Sequence, residues 1–455
     1  MELDRRNLIA LAAAAGPLSI TQGAQAAPAG NAPAAGGIDA AHYGLRPGNP
    51  EDQSRILQHA IDETARARTP LLVPPGVYRV GDLKLPNGAQ LIGARGATKL
   101  TLTQGSSLIS AVAADHLTLS GLVLDGLGRP LPEQRGLVQL EGCRAVKIAE
   151  CEITGCGGNA LVCTAVAGEV SDNTFTDASD AAIHVLDAAG LIIARNRVDS
   201  VGNNGIQVWR SVPGDDGTLV LDNRIENARN RSGGSGQYGN GINVFRAANV
   251  IVRGNRISNC AFSAVRGNAA SNLHIEGNSI NNVGEVALYA EFGFEGAVIA
   301  NNSVDRAAIG ISVTNFNAGG RLAVVQGNII RNLLARRPAG TDPGDAAGVG
   351  ISVEADTAVT GNVVKNAPVA GLMLGWGPYL RDVAATGNVV RNANIGIAVS
   401  VAPGAGTALI ANNVIAETRG GAIVGMARSQ PVTGDLSKAG AAQYAHIMLS
   451  GNRVR

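Results

Sequence analysis

The sequence predicts an all-β chain wound as a right-handed parallel β-helix of about 13 coils, with a short N-terminal capping helix. Three observations carry this. Asparagine recurs in one context at Asn173, Asn196, Asn223, Asn255, Asn278, Asn302, Asn328, Asn362, Asn388, Asn413 and Asn452, at spacings of 23 to 39 residues, and Cys151 fills the same slot 22 residues earlier. The residue two places after each slot is apolar in every copy, from Ile153 and Phe175 to Ile415 and Val454. Composition agrees: of 455 residues 45% are hydrophobic but only 3% aromatic, and 60 are Gly. Such a core of Val, Ile, Leu and Ala with Gly and Asn turns suits short stacked strands.

The elements follow in order. Residues 1–26 read as an export signal: Arg5-Arg6 precede an apolar stretch from Leu8 to Ile20, and Ala24-Gln25-Ala26 offers a cleavage site. Residues 27–37, rich in Ala, Pro and Gly, read as a flexible linker. Residues 38–100 form the cap and the lead-in to the coils. There Asn49 is expected to cap a helix with Pro50 in its first position, an apolar face of Ile56, Leu57, Ala60 and Ile61, and an end near Arg68. Residues 101–455 hold the repeats, and the chain ends at Arg455 directly after the last of them, an uncapped end that is a candidate oligomer contact.

One coil of about 23 residues cannot bury its apolar side, whereas stacked coils pair strand on strand at about 4.8 Å. The back strand, before the slot, supplies an apolar residue three places ahead of it, such as Ile193 or Val252. Immediately ahead of the slot stand Gly, Asn or Asp in most copies, marking a bend with positive φ. The Asn amides are therefore expected to stack inside that bend, as structure and not as chemistry. Cys143, Cys151, Cys156, Cys163 and Cys260 read as buried small side chains, with a disulfide among the first four as the alternative. Their spacing makes no metal motif.

Ten to thirteen residues after the slot comes a third strand, the face strand, with the pattern Gly-Ile-x-Val-x. Alternation turns its intervening residues outward. One outward column contains His184, Gln207, Asn243, Arg266 and Tyr289, and the next Trp209, Phe245, Asn268, Glu291 and Glu354; Arg246, Phe292 and Trp376 lie just beyond. Insertions at 227–240 and 331–348 precede this strand, so a trough walled by loops is expected, its aromatic rings stacking on pyranose faces and its amides and charges holding hydroxyls or carboxylates. Within reach of one another stand Asn243, Arg266, Tyr289 and Glu291. In an enzymatic reading Arg266, exposed on the strand, neutralises a uronate carboxylate while Tyr289 or His184 serves as acid or base. The other reading is a polar outer face stiffened by cross-strand aromatics.

The segment Leu71-Leu72-Val73-Pro74-Pro75-Gly76-Val77-Tyr78, with Leu85-Pro86-Asn87-Gly88-Ala89-Gln90-Leu91-Ile92-Gly93, resembles the start of pectate-lyase-like β-helix proteins. The N-terminus resembles a twin-arginine signal, a Sec-type signal being the other reading. Together with the repeat, the whole looks like a family of twin-arginine-translocated β-helix repeat proteins of unassigned activity. The resemblance implies an exported bacterial protein, periplasmic or secreted, carried by the twin-arginine machinery, with polysaccharide as the default partner. Its specific motifs are missing: Gly214-Asp215-Asp216-Gly217 resembles the paired-Asp segment of polygalacturonases, but their Asn-Thr-Asp, Gly-His-Gly and Arg-x-Lys companions are absent, as is the Asp-Pro-His-Asp of alginate epimerases. A lyase, epimerase or hydrolase and a non-catalytic binding or envelope protein both remain open, and no cofactor is indicated. With 37 Lys+Arg against 36 Asp+Glu, no global field draws the chain to nucleic acid. No stretch beyond the signal is long and apolar enough to span a membrane.

Overall fold

The computed structural model describes residues 36–455 apart from Ser235 and Pro343; the signal segment and most of the linker lie outside them. From Ile38 onward the chain coils as a parallel β-helix. Back strands form one sheet of 16 strands, three more than the expected coils supply, because Ile38–Asp39, Leu71–Val73 and Gln90–Gly93 of the lead-in join it. Slot strands and face strands form the other two walls, each pairing in parallel with its counterpart one coil on. The expected inward residues are buried, with Ile193, Val198, Ile206 and Val208 all at full burial in one coil.

The slot works as anticipated. From Asn196 onward each slot Asn accepts two hydrogen bonds on Oδ1 from the Asn one coil earlier, as Asn278 does from Asn255 N (2.9 Å) and Asn255 Nδ2 (3.0 Å), while Asn173 accepts from Cys151 N. Asn278 Nδ2 donates onward to Asn302 Oδ1 and to the Val252 carbonyl, both at 3.0 Å. The residue ahead of each slot is left-handed even where it is not Gly, Asn or Asp, with φ of 56° at Glu150 and Arg195. Gly heads the face strand for a steric reason: a Cβ on Gly350 would run into the Gly371 carbonyl and a Val364 methyl. The five cysteines are free and buried, and no metal-holding cluster of His, Cys, Asp and Glu occurs among the described residues. Burial raises the thiols of Cys151, Cys163 and Cys260 to about 12, so they stay protonated.

The capping helix begins later than expected, at Ser54–Arg66. The buried amide of Gln53 exchanges bonds with the Arg46 backbone, accepting from N and donating to O at 2.9 Å each, and Gln53 itself keeps a non-helical φ of −112°. Asn49 Oδ1 instead accepts from Glu51 N, closing a turn before the helix. The helix lays Leu57, Ala60 and Ile61 on the first coil, and Gln58 bonds both backbone groups of Lys84. At the other end, Gln430–Asp435 folds back antiparallel on Val414–Ala427. Asp435 accepts from Ala422 N and Ile423 N, and Thr433 from Gly425 N, so the last face strand is shielded within the chain. No helix among the described residues is long and apolar enough to cross a membrane.

Candidate functional site

The face strands carry the outward columns in the register that alternation requires. His184 pairs with Gln207, Gln207 with Asn243, Asn243 with Arg266 and Arg266 with Tyr289; beside them run Trp209, Phe245, Asn268 and Glu291. What differs is depth. The insertions do not wall a trough but fold down onto the face. Asn243 Nδ2 donates to the Gly236 carbonyl of the first insertion, and Arg337 of the second reaches Glu285 at 2.8 Å. Gln207, Asn243, Arg266 and Glu291 are consequently buried.

Arg266 shows the effect most clearly and corrects the expectation of an exposed cation. It is only 8% exposed, lies 2.6 Å from Glu291 and 3.2 Å from Glu285, and its guanidinium sits 4.9 Å from the centre of the Tyr289 ring. Its charge is already balanced twice over, so it cannot be the free cation that meets a uronate. Glu291 also accepts from Asn268 Nδ2 and is 1% exposed. Glu285 and Arg337, which sequence reasoning did not find, complete the network: Glu285 takes Arg266, Arg337 and Ser263, while Arg337 also holds Asp345 and the Ala346 carbonyl. Burial holds the Glu285 carboxyl above its ordinary range despite both arginines. Burial, and secondarily Glu291, drive the Tyr289 phenol well up, so Tyr289 is a hydrogen-bond donor and not a ready base.

A half-exposed ridge remains accessible. His184, Trp209 and Phe245 contact one another edge to face, with centroids 5.3 and 6.0 Å apart, and the Arg246 guanidinium lies 4.6 Å from the Phe245 centroid. Their orientation is fixed from behind. Trp209 Nε1 donates to Asn243 Oδ1 (2.8 Å), His184 Nδ1 to Gln207 Oε1 (2.6 Å) and Arg246 Nη1 to the Ser211 carbonyl (3.1 Å). Burial depresses the His184 pKa, so the ring is neutral near pH 7 with Nε2 left to accept.

The remaining expected residues are spread along the rod. Phe292 is 42% exposed one coil beyond Asn268, in a left-handed turn. Glu354 is buried and accepts from Phe316 N at 2.7 Å, a loop-fixing bond, and burial raises its pKa. Trp376 stands three coils past Tyr289, bridged to Tyr379, and both Trp376 and Tyr289 pack on a second apolar cluster that includes Ile309, Val349, Met373 and Val424. Phe294, two residues past Phe292, points the other way and is fully buried in the main core.

The protein family described as "Right handed beta helix region" matches residues 110–236 and 213–382. The chain belongs to this family. No curated protein matches it. Among solved structures it is similar to PfbA, a surface adhesin of Streptococcus pneumoniae, at 15% identity over 88% of this chain and 95% of that one, with a TM-score of 0.52. It is also similar to the pre-mature gene product 12 of bacteriophage phi29, at 15% identity over 88% of this chain and 58% of that one, TM-score 0.51. A third likeness is to the A-module of the Azotobacter vinelandii mannuronan C-5 epimerase AlgE6, at 16% identity over 92% and 99%, TM-score 0.45. At these identities the likeness is one of fold.

Proposed function

We propose that this right-handed β-helix protein binds a polysaccharide along its face strands, with Trp209 and Phe245 as stacking platforms, His184 and Arg246 at their edges and Phe292 two coils further along. One observation carries the reading: in a chain that is 3% aromatic, a ridge of rings stands half-exposed over three successive coils, its orientation locked by buried amides. Gln207, Asn243, Arg266, Asn268, Tyr289 and Glu291 then serve as the support beneath the ridge. The N-terminal sequence favours delivery of this binding function to the periplasm or beyond, through the twin-arginine machinery.

Processing of the glycan is the second reading, and the neutral His184 with its free Nε2 favours it as the group for a proton transfer. The purified protein should be titrated with a panel of acidic and neutral glycans while absorbance at 235 nm reports unsaturated products. Each ring contributes on the order of 1 kcal/mol, so the double substitution Trp209→Ala and Phe245→Ala should weaken binding roughly tenfold or more. Turnover abolished by His184→Ala would select the processing reading. Absence of both binding and turnover across the panel would overturn both.

A further inference from the structure

We infer that a second ligand site, separate from the face strands and standing without them, runs along the corner between slot and face strands and takes an acidic polysaccharide. Two depressions lie on that corner, of about 590 and 380 Å³. Leu334 lines both, so the two adjoin along the corner. Arg229 and Arg231 line the first, Arg306 and Arg419 the second. The coils from Arg229 to Arg419 span roughly 34 Å.

The corner carries a ladder of its own, four residues after each slot. Asn259, Asn282, Asn332, Asn366 and Asn392 all stand at φ between 53° and 60°. Asn282 Nδ2 donates to Asn259 Oδ1 (2.9 Å), Asn366 Nδ2 to Asn332 Oδ1 (2.7 Å) and Asn392 Nδ2 to Asn366 Oδ1 (2.8 Å). A turn alone accounts for these asparagines. It does not account for Arg306, which occupies the same column at φ 68° and interrupts the chain of amides where Asn would suit the backbone better.

Nor does a turn account for the charge. Arg229, Arg231, Arg306 and Arg419 are exposed, and none has a carboxylate partner among the described residues. Some other arginines on the rod, such as Arg195, Arg331, Arg381 and Arg391, lie against an Asp or Glu, while others, such as Arg224 and Arg253, have no such partner among the described residues. The acids next to the groove are already engaged, Glu417 by Arg391 and Asp305 by Arg331 and Asn332. The groove therefore offers unsatisfied guanidinium forks, which match carboxylates, and amides with one N–H still free, which match hydroxyls. Sugar chains bearing carboxylates present both. No aromatic ring lines either depression, so nothing there stacks a nucleobase.

The test compares the full chain with a triple variant, Arg229→Ala, Arg306→Asn and Arg419→Ala, using polygalacturonate, neutral dextran and single-stranded poly(dA) as probes in calorimetric titrations at two salt concentrations. Arg306→Asn installs the residue that neighbouring coils use, so thermal unfolding should be unchanged. The expected result is a salt-sensitive component of polygalacturonate binding that falls at least tenfold in the triple variant, while the Trp209→Ala, Phe245→Ala protein keeps that component and loses only the face-strand one. Equal binding by the triple variant overturns the inference. So does loss only in the ring variant, which leaves the face-strand reading intact, and so does poly(dA) binding tighter than polygalacturonate or no acidic-glycan binding at all.

Discussion

Two amide ladders flank the slot strand, an inner one continuous from Asn173 to Asn452 and an outer one in short runs, and they differ in the one respect that sets their energetic worth. The inner ladder is sealed from water. Asn278 there makes four side-chain bonds, two accepted from Asn255 and two donated to Asn302 and Val252. The outer ladder uses the same residue type in the open: Asn366 donates to Asn332 and accepts from Asn392, where solvent can substitute for either partner. A hydrogen bond that water can replace contributes little net, whereas one whose loss strands a buried group costs that group's desolvation. The comparison teaches that a repeated asparagine is structural or available according to its dryness, not its periodicity.

The largest expected effect tests whether dryness or outward direction decides. Arg266 points outward on the face strand yet is buried, so Arg266→Ala should destabilise by about 3 to 5 kcal/mol by leaving the buried Glu291 without a cation, while Glu285 keeps Arg337. Urea unfolding would measure it, and a loss below about 1 kcal/mol would mean that the insertions do not exclude water there. Next comes Asn278→Ala, which strands the Asn255 backbone N–H and the Val252 carbonyl at about 1 to 3 kcal/mol per group. Glycan binding should be untouched. The smallest effect belongs to the outer ladder. Asn366→Ala should cost about 1 kcal/mol, nearly all of it from holding Ala at φ 60°, and Asn366→Gly should recover that loss. If Asn366→Gly unfolds as readily as Asn278→Ala, the two ladders are equivalent and the distinction fails.

What could be read from the sequence was whatever repeats with the coil. The slot, the apolar residues around it and the outward columns from His184 to Tyr289 follow from periodicity and alternation, and the strand register places them accordingly. Properties set by non-repeating segments were not legible. Whether Arg266 is wet depends on where the insertions at 227–240 and 331–348 settle, and no local pattern links Arg337 to Glu285, 52 residues earlier. The helix start was misplaced for a similar reason. Asn49-Pro50 is a sound local signal, overruled by a Gln53 side chain bonded to backbone seven residues away. The outer ladder was diluted by Asp177, Ser200, Arg306 and Glu417, which share its left-handed turn without sharing its amide.

The inner ladder also bears on how such a chain can change. Its links keep nearly one geometry, 2.9 to 3.0 Å from Asn Nδ2 to the next Oδ1, although the sequence between links varies from 23 to 39 residues. Each coil is thus indexed to its neighbour at one corner, whatever the length of the path around the other two. Residues added to a loop lengthen that loop and leave the pitch unaltered, because the next Asn returns to the same hook. A lineage built this way can try new loops over its face strands one coil at a time, without renegotiating the stack.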